Sequence, residues 1–220
     1  PYSAGYDVIS MSAQNDLMLT KDSATGNFYV REISSVGTIR ATLAGYDAAT
    51  LLSQDNTWFM VSAYTMVNDE KQFSHHLYKG STEITLTGIT DEYGVRAFYI
   101  DTVTQNLAVL TSDGSLYYDV TFNTSGTTST LAKGDDTISL ATTTLSESPL
   151  PVITNYNSDL FYIQGKNNYL YSLNTGTGAI VDVTNSFATN VSAITITSYF
   201  WNGSEGYAGT VDNGIHEITF

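Results

Sequence analysis

Five tight-turn sequences, each set between apolar runs, recur along this chain at a nearly constant interval, and no other feature limits the fold as strongly. They are Thr25-Gly26-Asn27, Asn68-Asp69, Asp113-Gly114, Asn167-Asn168 and Asn213-Gly214. Measured at Gly26, Asp69, Gly114, Asn168 and Gly214, they lie 43, 45, 54 and 46 residues apart. Asp-Gly tolerates the positive φ angles of a type I′ turn, so Asp113-Gly114, between "LAVLTS" and "SLYYDV", predicts a two-residue hairpin turn. Around each turn the chain reads strand, polar corner, strand, tight turn, strand. The unit is clearest in "RAFYIDTVTQNLAVLTSDGSLYYDVTF" (96–122), "LPVITNYNSDLFYIQGKNNYLYSLNTG" (150–176) and "AITITSYFWNGSEGYAGTVDNGIHEITF" (193–220). It is looser in "DVISMSAQNDLMLTKDSATGNFYVREI" and "ATLLSQDNTWFMVSAYTMVNDEKQFSHHLYKG".

A fourth strand follows most units, in "GTIRATLAG", "TEITLTGIT", "TTSTLAKG" and "AIVDVTNS". Helical periodicity is nearly absent, while short runs rich in Val, Ile, Thr, Tyr and Phe end at Gly, Asn or Asp. Four strands every 40–55 residues is the period of a β-propeller blade. A lone blade is too small to fold by itself, and radial packing buries both of its faces and leaves short edges. The expected fold is all-β: a five-bladed β-propeller of four-stranded antiparallel blades, with a β-sandwich or another β-repeat domain as the alternative. It would be one domain over residues 1–220, with blades near 6–45, 46–92, 93–147, 148–190 and 191–220 plus 1–5. The fifth unit ends at its third strand, and "PYSAG" aligns with the end of the fourth strand "ATLAG". Residues 1–5 are therefore expected to close the ring. A start at Pro1 rather than Met means that the true start was removed or that the segment belongs to a longer chain. "AGYD" at 4–7 and again at 44–47 is the expected crossover from one blade to the next.

Composition bounds the function. Net charge is −14, from 8 basic against 22 acidic residues, and the basic residues are scattered. Phosphate recognition needs clustered Lys and Arg, which excludes nucleic acid and anionic membrane as partners. No apolar run approaches the roughly 20 residues of a membrane span, so no membrane insertion is expected. The absence of cysteine removes disulfides, thiol catalysis and thiolate-bound zinc. Charged residues make up 14% of the chain, below the usual quarter or so, and Thr, Ser and Asn carry solubility instead. That balance fits a secreted, extracellular or particle-surface protein. Sequons begin at Asn123, Asn190 and Asn202.

"DGSLYYDV" and "NNYLYSLNTGTGAIVDVT" resemble β-propeller blade motifs, in the style of quinoprotein-like propellers and of small five-bladed tachylectin-type lectins. The likeness covers the whole chain as architecture. The repeated Trp of either group is missing, so no binding residue carries over.

Several residues are of types that carry chemistry. Asp7, Asp47 and Asp101 are carboxylates on first strands, where a glycosidase would keep its acid and its base or nucleophile. Asp7 and Asp47 are equivalent by repeat, and catalytic pairs need unlike environments, so they read as caps of the crossover. His75 and His76 are strand neighbours that point to opposite faces and cannot share a metal. With His216 they read as structural. No catalytic residue, metal ligand or cofactor is assigned. Calcium is the one cation left open, at "VNDEK" (67–71), "KGDDT" (133–137) and "TVDNG" (210–214), which read first as turns. Tyr117, Tyr162, Tyr169 and Tyr171 read as inter-blade core. Trp201, Asn202 and Glu205, in the corner "WNGSEG", together with Trp58, are the candidate ligand-binding residues, since an aromatic face beside amide and acid groups suits a sugar. The leading function is a non-enzymatic extracellular recognition module binding glycan or protein through loops on one end of the ring. A structural or assembly subunit of a virion, tail, pilus or other appendage is the alternative, and a glycoside hydrolase the third class.

Overall fold

The computed structural model describes residues 5–12, 15–35, 37–101, 106–119, 128–130, 132–133, 153–157, 160–164, 170–174, 177, 179–182, 196–202, 205–210 and 214–218. These form five sheets. The first holds β1 (Tyr6–Ser12), β2 (Leu17–Asp22), β3 (Phe28–Glu32) and β4 (Ile39–Leu43), in chain order. The second holds β5 (Ala48–Ser53), β6 (Trp58–Val67), β7 (Glu70–Lys79) and β8 (Thr82–Thr87). The third holds β9 (Val95–Asp101), β10 (Asn106–Thr111), β11 (Leu116–Asp119) and β13 (Ala132–Lys133), with β12 (Thr128–Thr130) between them in sequence. The fourth holds β14 (Ile153–Asn157), β15 (Leu160–Gln164), β16 (Leu170–Asn174) and β17 (Ile180–Asp182). The fifth holds β18 (Ile196–Asn202), β19 (Glu205–Thr210) and β20 (Ile215–Ile218). Within each sheet, strands consecutive in the chain pair antiparallel. Each sheet is built mainly from one repeat unit, a meander of antiparallel strands.

The turns show why the units fold locally. Asn68 and Asp69 adopt φ of 52° and 66°, and Val67 pairs with Glu70 across them. Two left-handed residues in a two-residue loop make the type I′ turn that Asn and Asp tolerate. The same residues account for "VNDEK" as a turn. Asp113-Gly114 differs from expectation. Gly114 N–H bonds the Thr111 carbonyl (3.0 Å), Thr111 N–H bonds the Ser115 carbonyl (3.0 Å), and Gly114 takes φ of 90°. This is a three-residue loop, a type I turn followed by a glycine bulge. The Asp113 side chain selects it. Its carboxylate accepts from Thr111 Oγ1 (2.6 Å), Ser115 Oγ (2.6 Å) and Ser115 N–H (3.2 Å). Burial raises the Asp113 pKa, but these donors outweigh it and hold the carboxyl below its ordinary value. Asp113→Ala is expected to cost about 1–2 kcal/mol, read as a lower urea midpoint at unchanged slope. Gly26, with φ of 75°, closes a longer loop in which the Asp22 carboxylate accepts from the Ala24 and Thr25 amides. The turn at 167–168 lies outside the described residues, as does Asn213 of the fifth turn.

Neighbouring sheets bury two apolar layers. Leu17, Leu19, Phe28 and Val30 of the first sheet meet Ala49, Phe59, Val61 and Tyr78 of the second. Leu52, Trp58, Met60 and Leu77 of the second meet Val95, Ile100, Leu107 and Tyr117 of the third. Phe59 and Tyr78 stack at 4.9 Å. Tyr117 is therefore inter-sheet core, as its alternation predicts. The described part of β14 packs beside β9. The first sheet buries both faces at β2, where Leu17, Met18, Leu19 and Thr20 are all 0% exposed, but not at β1, where Val8, Ile9 and Met11 are 42%, 47% and 64% exposed. On its second face Arg31 is buried between the rings of Tyr6 and Tyr29, 4.5 and 4.9 Å away, and its Nε donates to Thr20 Oγ1 (3.3 Å). Residues 1–4, expected to close the ring, lie outside the described residues.

Two kinds of tie join adjacent sheets. The polar corner after the first strand supplies an amide clip in the first and second sheets. Asn15 Nδ2 donates to the Ser53 carbonyl (3.1 Å) and Oγ (2.9 Å), linking the first sheet to the second. Gln54 Nε2 donates to the Ile100 carbonyl (2.7 Å) and its Oε1 accepts from Ile100 N–H (2.7 Å), linking the second to the third. The other tie revises a sequence expectation. "TTSTLAKG" is not one fourth strand. Its Thr128–Thr130 runs parallel to β8 on the outer edge of the second sheet, and its Ala132–Lys133 pairs with β11 as the fourth strand of the third. One short segment thus binds two sheets.

Five antiparallel meanders at the period of the repeat, the first three packed face to face in chain order, make this chain a β-propeller.

Candidate functional site

The second sheet departs from the repeat. Its inner hairpin, β6–β7, has ten residues in each strand, against six and five in β2 and β3 and six and four in β10 and β11. β5 pairs with β6 only as far as Tyr64, and β8 pairs with β7 only as far as His76. The remainder projects as a two-stranded ribbon at the end of the sheet where the chain crosses between units.

Both crossovers grip the ribbon. On the β6 side the repeated corner does so: Asp47 N–H bonds the Tyr64 carbonyl (2.9 Å), and the Asp47 carboxylate accepts from Met66 N–H (2.7 Å). Asp47 is thus a crossover cap. Asp7 lies in β1 opposite Lys21, and the Asp101 side chain is outside the described set. On the β7 side Phe73 N–H bonds the Asp91 carbonyl (2.6 Å). Gly94 lies so close to Phe73 that a Cβ there would stand 2.8 Å from the ring, so the approach requires glycine.

Cross-strand pairing puts Tyr64 opposite Phe73 and Met66 opposite Lys71, on one face of the ribbon. Tyr64 and Phe73 meet edge to face at 5.4 Å, and Lys71 Nζ lies 4.6 Å over the Tyr64 ring. Met66 and Val67 are 47% and 38% exposed, and Tyr93 of the crossover is 39% exposed. The ribbon and its crossovers (44–47, 64–73 and 88–94) carry Asp47, Asp69, Glu70, Asp91 and Glu92 against Lys71 as the one Lys or Arg. The site is an aromatic and methionine shelf rimmed by carboxylates.

Two histidines brace the base of the ribbon from opposite faces. Val95 N–H donates to Ser62 Oγ (3.2 Å), Ser62 Oγ lies 3.1 Å from His75 Nδ1, and His75 Nε2 lies 3.1 Å from the Thr90 carbonyl. A carbonyl only accepts, so Nε2 carries the proton and Nδ1 accepts from the Ser62 hydroxyl. Ser62 is 4% exposed, and its hydrogen bonds hold the crossover to the sheet. This Ser–His pair is a structural tie between crossover and sheet. Burial holds the His75 pKa below its ordinary value, against the pull of the Thr90 carbonyl. The unfolded chain therefore binds a proton that the fold refuses, and stability falls as pH drops through about 6.5 toward the lower folded value. His75→Gln is expected to flatten that part of the pH profile; an unchanged difference between pH 7.5 and pH 5 in urea midpoints would contradict it. On the other face His76 Nδ1 donates to Glu83 Oε1 (2.7 Å), and Tyr46 OH lies 2.8 Å from His76 Nε2. Tyr78 OH also donates to Glu83, at 3.3 Å. The two rings point apart, as their strand positions dictate.

The ligand candidates separate. Trp58 is 3% exposed within the layer between the second and third sheets, with Lys79 Nζ 5.5 Å over its ring. It offers no face to a sugar and is corrected to a core residue. Trp201, Asn202 and Glu205 form the β18–β19 corner, where Asn202 pairs with Glu205 and Trp201 with Gly206. That is the position in the unit that Asn15 and Gln54 hold in theirs, in the fifth sheet, whereas Trp58 opens β6 of the second. The ribbon was missed as a site because its two strands read only as a loose repeat; the signal was the ten-residue span on each side of Asn68-Asp69.

Among the described residues no three His, Asp or Glu side chains group to hold a metal. Residues 134–137 and 211–213 of the other calcium candidates, Tyr169, the side chain of Tyr162, and sequons Asn123 and Asn190 lie outside the described residues. Among those described, no helix is long and apolar enough to cross a membrane.

No family model matches the sequence, and no curated protein matches it either. Among solved structures the chain is similar to the dihydro-heme d1 dehydrogenase NirN at 12% identity and a TM-score of 0.46, covering 96% of this chain and 43% of that one. It is also similar to YCF48 from Cyanidioschyzon merolae (12% identity, TM-score 0.47, 99% and 70% covered). A third is the C-terminal WD40 domain of Sif2 (9% identity, TM-score 0.43, 99% and 69% covered).

Proposed function

We propose that this chain is a non-enzymatic recognition module that docks a protein on the crossover end of its second and third sheets. The observation that carries the reading is the β6–β7 ribbon, which outruns its sheet and leaves Met66, Val67 and Tyr93 exposed. Burying unneeded apolar surface is the default, so a braced projection that presents Tyr, Phe and Met to solvent fits an interface core. The histidines serve as braces, so the reading calls for no catalytic residue and no cofactor. The sparse charge and the Thr-, Ser- and Asn-rich surface support an extracellular or particle-surface setting.

The test replaces residues 65–72 by Asn-Gly, which keeps the Tyr64–Phe73 pair and a two-residue turn. Wild type and variant are immobilised and compared for protein capture and on a glycan array. Proteins held by wild type and lost from the variant support the reading. Capture that ignores the ribbon, or a glycan signal abolished by Trp201→Ala and not by the ribbon deletion, transfers the function to the β18–β19 corner. A defined oligomer that dissociates only when the ribbon is removed would make the module an assembly subunit.

A further inference from the structure

The rim of the shelf specifies its partner, and this step rests on the docking role proposed above. We infer that the ribbon receives a basic protein surface, one with an apolar centre ringed by Lys or Arg. Both crossovers and the hairpin tip bring carboxylates to this end: Asp47 beside β6, Asp91 and Glu92 beside β7, and Asp69 and Glu70 at the turn, all exposed. Against these five carboxylates stand Lys71, folded over Tyr64, and Lys21 of the first sheet, whose Nζ reaches the Asp47 carbonyl (3.2 Å), so the rim keeps an excess of negative charge. The centre is apolar: Met66 shares the face of Tyr64 and Phe73, and Tyr93 is exposed in the crossover, next in the chain to Gly94, which lies against Phe73.

Charge also removes the other occupants. A second copy would bring its own acidic rim and a net charge of −14 to the contact, and like charges across an interface oppose docking. An extended strand added to the ribbon edge would need the Met66 and Phe73 amides, which Asp47 and Asp91 already occupy. What fits is side-chain docking, steered by opposite charge and held by the apolar centre.

The probes are fluorescein-labelled twelve-residue peptides: Lys alternating with Leu, Glu alternating with Leu, and Ser alternating with Leu. Binding to the intact chain is read by anisotropy at low and at physiological salt. The Lys peptide is expected to bind, weakening with salt, and the Glu peptide not to bind. The double variant Met66→Ser, Tyr93→Ser and the triple variant Asp69→Lys, Glu70→Lys, Glu92→Lys are each expected to weaken the Lys peptide by about tenfold or more. All five positions are exposed, and equal melting temperatures would confirm that the variants fold. Lys-peptide binding that survives the charge reversal overturns the inference, because acidity elsewhere on the chain would then suffice. Ser- or Glu-peptide binding that is equally strong and lost in the double variant also overturns it, while leaving the docking role intact. If no peptide binds and protein capture ignores the ribbon, both fail.

Discussion

Trp58→Ala is expected to lower the stability of this protein by about 3–5 kcal/mol, the usual cost of emptying an aromatic core site. The indole is 3% exposed and lies with Leu52, Met60, Leu77 and Leu107 in the layer that joins the second sheet to the third. Removing it leaves a cavity in the apolar layer between the two sheets. Lys79 also loses the ring beneath its ammonium group. Domains are commonly stable by only about 5–15 kcal/mol, so the variant should melt far earlier or fold incompletely, while Trp58→Phe keeps most of the packing. If Trp58 instead served a ligand, Trp58→Ala would melt like the wild type, and urea unfolding separates the two outcomes.

Gln54→Leu is expected to cost about 3 kcal/mol, because it leaves two backbone groups of Ile100 without partners at the seam between sheets. Leu has nearly the volume of Gln, so the loss is polar rather than steric. A second variant makes the test specific. In Gln54→Glu the ionised carboxylate can accept from the Ile100 amide but faces the Ile100 carbonyl with no proton to donate. Protonation restores that donor, so the deficit of Gln54→Glu should shrink as pH falls toward about 4, where Glu takes up a proton. If Gln54 acted by shape alone, the nearly isosteric Gln54→Glu would show no deficit at any pH, and a deficit that did not shrink on protonation would contradict the donor role.

The architecture was legible in the sequence where the physics is local. Asn68-Asp69 specifies its turn through the φ angles those two residues tolerate, and the repeat of such turns, spaced by strand lengths, gives the unit. Local chemistry also misled at Asp113-Gly114, where the Thr111 and Ser115 hydroxyls recruit the carboxylate and turn the expected type I′ loop into a type I turn with a bulge. What could not be read was depth and partnership between units. Trp58 and Trp201 look alike in sequence, yet only packing against the third sheet determines that Trp58 is core. The Gln54–Ile100 clip joins residues 46 apart and leaves no periodic trace. The splitting of "TTSTLAKG" depends on the free edge of β8, which belongs to the preceding unit. The shelf was half legible: the long strands flanking Asn68-Asp69 are plain in the sequence, but the grip of Asp47 and Asp91 on them is a tertiary fact.

The most direct test of the docking role is hydrogen exchange of the intact chain, free and saturated with a protein retained by wild type and lost by the ribbon deletion. Protection is expected in residues 64–73 and 88–94, with the β18–β19 corner unchanged. Protection confined to Trp201, Asn202 and Glu205, with the ribbon exchanging as in the free chain, would contradict it.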